Sequence, residues 1–336
     1  MERYFLGNNT AYGFVGNYDK ELADKNKVVL LKGGPGTGKS TILKKVAAEA
    51  KSKGLDYELW YCSGDPASLD GVYVKQLDTA IVDATAPHAS GADLPKIKDF
   101  LYDLASSLSH EKLKGYKDTI EKLISDKKWH FMRAYQHLKV ALCHFNNQIQ
   151  LEMQGLKVEN IRAYAAAQAS DLRAKCKDVL ARRKVFTNAI CPKGDSVYYD
   201  HLRDKTVYKV DGGAAAKKIF FDELAGHTSG GTLILNPLDP NVIDGMVYGS
   251  VAVVSDVGHL KNAISENVNL RVYEGAQSTA AIEEEKNGVT THIAFCEEQL
   301  EGARKCHLGT EKYFVSAMDF DNNDKIYREI RRVIFD

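Results

Sequence analysis

The residues best suited to chemistry form one glycine-rich stretch near the start of the chain, Gly33-Gly34-Pro35-Gly36-Thr37-Gly38-Lys39-Ser40-Thr41. It fits the pattern G-x-x-x-x-G-K-S/T, in which glycines let backbone N–H groups turn toward phosphate oxygens. In that pattern Lys39 reaches the β- and γ-phosphates of a nucleotide, and the Ser40 hydroxyl binds Mg²⁺. The alternative is a glycine-rich turn that binds nothing.

The segments on either side of this stretch have the character that a phosphate-binding loop requires. Before it, residues 27–31 form a short apolar run that is typical of a buried strand. After it, residues 39–53 place apolar side chains on one helical face, and Gly54 is a C-terminal stop signal. This strand–loop–helix context favours binding of ATP or GTP with Mg²⁺ at residues 33–41.

Asp83 is the candidate for a second acidic group in such a site. It follows residues 77–82, an apolar segment that predicts a strand, and a carboxylate there can hold Mg²⁺ directly or through water. The alternative is a turn or helix-capping aspartate, because Thr85, Pro87 and Gly91 follow closely. The next residue is Ala84, so a glutamate directly after Asp83 is missing.

Asp65 is a weaker catalytic candidate. It lies just beyond residues 56–61, which predict a second strand, and an acid there can orient a water molecule or an acceptor hydroxyl. Asp-Pro and Asp-Gly pairs also form turns. The stretch from Asp65 through Asp70-Gly71 recurs later in the chain where the glycine-rich pattern is lost, which favours a role in the fold. The same argument makes His88 a structural histidine.

The two halves of the chain carry similar residues in the same order, which predicts an internal repeat. Three matches share an offset of 181 residues: Phe5 with Phe186, Gly13 with Gly194, and Tyr18-Asp19 with Tyr199-Asp200. Later matches have smaller offsets: Gly33-Gly34 with Gly212-Gly213, Asp70-Gly71 with Asp244-Gly245, and His88 with His259. The falling offset indicates that the second copy lacks a few residues.

The repeat predicts an α/β fold of two tandem P-loop-like units, each with a mostly parallel sheet. The first unit covers residues 1–183, with an α/β core at 1–95 and a helical section at about 94–183; the second covers 184–336. Ligands of such sheets bind beyond the carboxyl ends of the strands, so the loop, Ser63-Gly64-Asp65 and Asp83 should line one rim. In the second unit the stretch 211–218 lacks G-K-S/T, so we expect it to bind no nucleotide.

Apolar residues at spacings of three and four in the section 94–183 predict helices. We expect a long helix, a turn near Gly155 and a returning helix, together an antiparallel hairpin. At about 1.5 Å per residue, residues 111–149 would extend nearly 60 Å if unbroken. Two interpretations stay open: a helical cap on the sheet, or an arm that moves with nucleotide state or grips a partner protein.

Length and composition bound the class of protein. A chain of 336 residues predicts two domains at about 150 residues each. A net charge of +0 excludes a globally basic nucleic-acid-binding protein, and no apolar run is long enough to predict a membrane helix. The six cysteines contain no C-x-x-C pair, which suits reduced thiols. No N-terminal targeting segment is evident, so we expect a cytoplasmic location.

The segment from Phe5 to His88, with GGPGTGKST, CSGDPASLDG and VDATAPH, resembles a family of uncharacterised bacterial tandem P-loop ATPases, sometimes labelled nucleotide kinases. The resemblance covers most of the chain and implies two fused P-loop units, each with a phosphate loop and a helical insertion. It carries over to Gly33, Gly38, Lys39, Ser40 and Asp83. It does not carry over to residues 212–218, where this sequence departs from an intact loop.

These observations predict Mg²⁺-dependent nucleoside triphosphate hydrolysis by the first unit, with a structural or regulatory second half. The alternatives are a nucleotide-dependent switch with slow turnover that engages a protein partner through the helical section, and a kinase acting on a small molecule or nucleotide.

Overall fold

The structure is a computed structural model that describes residues 1–88, 91–177, 179–192, 194, 196–260 and 264–336. It contains two six-stranded mixed sheets with helices packed against them, so the chain belongs to the mixed α/β class. In the described part of the chain, no helix is long and apolar enough to cross a membrane.

The first sheet has the strand order β1-β5-β6-β7-β4-β8. Its strands are β1 Glu2–Tyr4, β4 Lys27–Lys32, β5 Tyr57–Tyr61, β6 Leu69–Val74, β7 Thr79–Asp83 and β8 Asp99–Asp103. Strand β4 runs parallel to both β7 and β8, and β1 runs parallel to β5. Strand β6 runs antiparallel to both of its neighbours, β5 and β7.

The expectation of a mostly parallel sheet is therefore wrong at β6, a strand that the sequence analysis missed. Asp70-Gly71 was interpreted as a turn, but both residues lie inside this strand. Gly71 is required there because a Cβ atom would lie 2.6 Å from the Trp60 ring on β5. The pair thus marks a close approach between two strands, in which a glycine makes room for a buried tryptophan.

The second sheet repeats this order as β9-β13-β14-β15-β12-β16. Its strands are β9 Arg183–Val185, β12 Thr206–Asp211, β13 Thr232–Leu235, β14 Ile243–Tyr248, β15 Val251–Val254 and β16 Ile264–Asn269. Here too the third strand, β14, is antiparallel to both neighbours, and Gly245 lies in it as Gly71 lies in β6.

Equivalent residues of the two halves meet at their junction. The backbones of Phe5 and Phe186 exchange hydrogen bonds of 2.9 and 3.0 Å in an antiparallel bridge. Two small hairpins follow these residues: β2 Gly7–Thr10 with β3 Gly13–Gly16, and β10 Asn188–Ala189 with β11 Ser196–Val197. Because matching residues pair with each other, an approximate two-fold axis relates the halves.

The helices follow the same approximate two-fold symmetry, and some of them pack on the sheet of the other unit. They are α1 Tyr18–Ala23, α2 Lys39–Ser52, α3 His110–Leu113, α4 Lys117–Met153, α5 Val158–Lys175, α6 Ala214–Gly226, α7 Thr279–Ala317 and α8 Phe320–Phe335. Helix α5 packs on α6 in the core of the second sheet, and α8 contributes Ile330 and Ile334 to the core of the first sheet.

The predicted hairpin of α4 and α5 is consequently wrong in its pairing, although both helices form. Helix α4 packs along α7 in antiparallel orientation: Gly309 lies against Leu123, Gly302 against His130 and Gly288 against His144. The two longest described helices, α4 and α7, bury their apolar faces against each other, because each has an apolar stripe that the other can cover.

Candidate functional site

The loop 33–41 connects β4 to α2, as the sequence analysis expected. Gly36 and Gly38 have φ angles of 71° and 89°, in the left-handed region that favours glycine. Gly36 also needs to be small, because a Cβ atom would lie 2.8 Å from Val315 and 2.9 Å from Glu311, both on α7. The loop therefore has the open conformation that turns N–H groups outward, and α7 lies directly over it.

The backbone N–H groups of residues 36–41 donate no hydrogen bond to any residue that the structure describes. They include the first N–H groups of α2, whose N-cap Gly38 offers no side-chain acceptor. Unpaired N–H groups at a helix N-terminus create a positive potential that suits an anion.

Lys39 adds a positive charge inside this loop. Its Nζ donates to the carbonyl oxygens of Gly33 and Gly34 at 2.7 and 2.9 Å, and lies 3.6 Å from Asp83 Oδ2. Thr37 Oγ1 donates to the Gly34 carbonyl at 2.9 Å. The ammonium group is thus held at the loop by contacts that a stronger anionic acceptor can replace.

Asp83 faces Lys39 from the end of β7 and also shapes the turn that follows. Its Oδ1 accepts a 2.8 Å hydrogen bond from the Thr85 N–H, and Thr85 Oγ1 donates to the Gly33 carbonyl at 3.0 Å. The two interpretations of Asp83 therefore coexist: one carboxylate oxygen forms the turn while the other faces the loop lysine.

Ser40 and Asp65 each accept a hydrogen bond from another residue of the first unit. Ser40 Oγ accepts a hydrogen bond of 3.1 Å from the Leu69 N–H, and Asp65 Oδ2 accepts one of 2.6 Å from Ser68 Oγ. Pro35 is half-buried and Thr41 is exposed. Asp65 thus closes a turn, as its sequence context favoured, and its catalytic role stays a prediction.

Asp70 and His88 join this site, although neither was predicted to. Asp70 is 3% exposed and accepts a 3.0 Å hydrogen bond from the Tyr18 hydroxyl. His88 Nδ1 lies 3.7 Å from Asp70 Oδ2. Burial raises the pKa of the Asp70 carboxyl, and the neighbouring His88 offsets part of that rise. Both residues recur in the second half, and that recurrence was read as a mark of the fold alone.

Residues from far along the chain complete the surroundings of the loop. Asn323 on α8 donates from Nδ2 to the Thr37 carbonyl at 2.8 Å, and the Phe314 ring on α7 lies 3.9 Å from the position that a Cβ atom on Gly34 would take. Burial, followed by the charges of Lys127 and Lys39, lowers the pKa of His307 on α7 to about 4, so its imidazole is neutral at pH 7. Burial also lowers the pKa of Lys127 on α4.

The corresponding loop of the second unit is shorter and already carries anions. Helix α6 begins immediately after Gly213, so the second loop lacks the lysine and serine of the first. The N–H of Ala215 donates to Glu152 Oε2 at 2.8 Å, and the N–H of Gly213 donates to Glu274 Oε1 at 2.6 Å. Glu152 is 4% exposed and belongs to α4, a helix of the first half.

A cavity of about 570 Å³ lies beside this second loop. Its walls combine carboxylates with basic groups, among them Glu152, Asp244, Lys217 and Arg271. Burial raises the pKa of Asp244 to about 6, and a hydrogen bond from Asn236 limits the rise. Arg271 pairs with Asp211 at 2.9 Å, so the charge of this loop aspartate is balanced within the second unit.

No protein-family model matches the chain, and no curated protein or solved structure matches it either. The resemblance to tandem P-loop ATPases accordingly stays a prediction.

Proposed function

We propose that this protein binds a nucleoside triphosphate, ATP or GTP, with Mg²⁺ at the loop 33–41 of its first unit, and hydrolyses it. The observation that carries the proposal is the set of unpaired backbone N–H groups at 36–41 around the ammonium group of Lys39. A polyphosphate satisfies both features, since it accepts many hydrogen bonds and carries a high negative charge.

The residues have distinct roles in this proposal. Lys39 exchanges the carbonyl oxygens of Gly33 and Gly34 for phosphate oxygens, and the N–H groups of 36–41 hold the remaining charge. Each charge-assisted hydrogen bond of this kind contributes about 1.5–3 kcal/mol. Helix α7 covers the loop at Gly36 and limits the access of water to the phosphates.

The oxygen donors at the site fit Mg²⁺, which prefers hydroxyl, carboxylate and phosphate oxygens. Ser40 Oγ and the Asp83 oxygen that faces Lys39 are the side-chain groups that would hold it. When bound, the ion neutralises charge that develops on the phosphates during their transfer.

Lys39→Ala tests this proposal, and Lys217→Ala beside the second loop is its matched control. In equilibrium titrations with ATP and GTP, Lys39→Ala should lower the affinity at least tenfold, while Lys217→Ala should leave it unchanged. Circular dichroism of both variants should show that they are folded. Unchanged nucleotide binding in folded Lys39→Ala would rule out this site. Turnover with and without a panel of nucleoside monophosphates separates hydrolysis from kinase activity.

A nucleotide-dependent switch is the second candidate, and the contact of α7 with the loop favours it. Val315 and Glu311 lie beside Gly36, so a bound nucleotide should change the position or the mobility of the C-terminal end of α7. Because α7 packs along α4, the change should also reach α4. We expect hydrogen exchange in α4 and α7 to change when nucleotide and Mg²⁺ are added. Identical protection of both helices in the two states would favour a rigid cap and argue against partner recognition through these helices.

A further inference from the structure

A compact group of side chains of metal-ligating types lies at one end of the central strands β6 and β7 of the first sheet, near Lys39 of the glycine-rich loop. It consists of Asp70 on β6, Asp83 at the end of β7, and His88 shortly after β7. One carboxylate oxygen from each aspartate and one ring nitrogen of His88 all lie within 4.8 Å of one another. Three ligand atoms of two chemical types therefore converge on one point.

This arrangement leaves charge and hydrogen-bonding capacity unused. The side chains of Asp70 and Asp83 are only 5% and 15% exposed, and the nearest cation is Lys39, 3.6 Å from Asp83. The Nδ1 atom of His88 is buried and has no hydrogen-bond partner within the described ranges. A buried nitrogen without a partner, facing two carboxylates, costs free energy unless a further group satisfies it.

We propose that Asp70, Asp83 and His88 bind one divalent transition-metal ion of the Mn²⁺, Co²⁺ or Zn²⁺ type. Imidazole together with carboxylates selects such ions, whereas Mg²⁺ and Ca²⁺ prefer oxygen ligands alone. Metal–ligand distances of about 2.0–2.2 Å require these atoms, which lie within 4.8 Å of one another, to draw closer together when the ion binds. Ser40 is outside this group, which shares only Asp83 with the expected Mg²⁺ position and, with Asp70 and His88 as its other ligands, needs no nucleotide.

The second unit provides an internal control because it keeps only part of the group. Asp244 matches Asp70 and His259 matches His88, but the strand register places Ser255 where the first unit has Asp83. Ser255 Oγ donates to the backbone carbonyl of Asp244, and the His259 ring packs on Tyr199. With one carboxylate missing, this half should bind no such ion.

The experiment uses the full chain, treated with a chelator and then titrated with Co²⁺ alone, followed by visible absorption and calorimetry. We expect one ion per chain, with an absorption band that excess Mg²⁺ does not remove. His88→Ala and His88→Gln should each weaken binding at least tenfold, and His259→Ala should not. Two variants at His88, each checked by circular dichroism, separate loss of a ligand from loss of the fold.

A further control concerns the interface between α4 and α7, where the Nδ1 atoms of His137 and His292 lie 3.3 Å apart. His292→Ala should leave the Co²⁺ band unchanged. The inference is overturned if the parent protein binds no Co²⁺, if both His88 variants bind as the parent does, or if His292→Ala rather than His88→Ala removes the ion. Lys39→Ala should keep the ion, so failure of nucleotide binding and failure of metal binding are distinguishable.

Discussion

The two glycine-containing loops occupy equivalent places in equivalent sheets, yet they treat negative charge in opposite ways. The first leaves the N–H groups of residues 36–41 unpaired and adds Lys39. The second has lost that lysine and donates the N–H groups of Gly213 and Ala215 to the carboxylates of Glu274 and Glu152. A helix N-terminus attracts an anion in both units, and among the described residues carboxylates accept these N–H groups in the second unit but not in the first.

Each loop is also covered by a long helix that belongs to the other half. Glu152 lies near the end of α4 and contacts the second loop, while Val315 and Glu311 lie near the end of α7 and contact the first. Since α4 and α7 pack along each other, the two helices that cover the loops are in direct contact. The second half therefore has a part in the first site even if it binds nothing.

The largest expected effect is on the number of nucleotides bound. If the loops differ as their contacts indicate, titration calorimetry with ATP or GTP and Mg²⁺ should give one nucleotide per chain, and Lys39→Ala should reduce that number to zero at the same concentrations. The second loop lacks both the lysine and the hydroxyl, and its N–H groups are already occupied. A stoichiometry of two nucleotides per chain would show that the second loop also binds a nucleotide.

The next largest effect is expected at Asp83, because the second unit has Ser255 at the equivalent position. Asp83→Asn keeps the size and the turn-forming acceptor but removes the charge that faces Lys39. We expect turnover dependent on Mg²⁺ to fall at least tenfold, with little change in nucleotide binding without Mg²⁺. Ser255→Ala is the control and should change neither. Equal turnover in Asp83→Asn and the parent would leave Asp83 with its turn role only.

Glu152→Ala removes the anion that the chain supplies to the second loop. The Ala215 N–H and the Gln148 side chain both lose a buried acceptor. At about 1–3 kcal/mol for each unsatisfied donor, the free energy of unfolding should fall by about 2–4 kcal/mol. Denaturant unfolding measures this change, with exposed Glu159→Ala as the control. A loss no greater than that of Glu159→Ala would show that the second loop does not need its carboxylate.

The smallest effect concerns Asp244, the counterpart of Asp70. Its folded-state pKa of about 6 lies above the ordinary value of 3.8, so the folded protein holds a proton that the unfolded chain releases. The stabilisation is complete below about pH 3.8 and is lost as pH rises through about 6, amounting to about 1–3 kcal/mol. Asp244→Asn should remove this part of the pH dependence of unfolding. Identical pH profiles for variant and parent would contradict it.

Local sequence was sufficient for features that depend on neighbouring residues. The glycine-rich stretch, the strand before it and the helix after it were all predicted with nearly correct bounds, because spacing, apolar runs and Gly54 act within a few residues. The match of Phe5 with Phe186 and of Asp70 with Asp244 was visible because the two halves carry similar residues in the same order, and the structure places each pair at equivalent positions.

Tertiary structure decided what those features contact. An apolar stripe on α4 fits any helix with a complementary stripe, so the sequence favoured its neighbour α5, whereas the fold pairs it with α7. Asp70-Gly71 has the local chemistry of a turn, yet a tryptophan on the next strand makes it part of β6. Glu152 and Gly213 are 61 residues apart, and nothing near either residue specifies that they meet. Contacts of this kind depend on which surfaces remain to be buried once the sheets have formed, and that is a property of the whole chain.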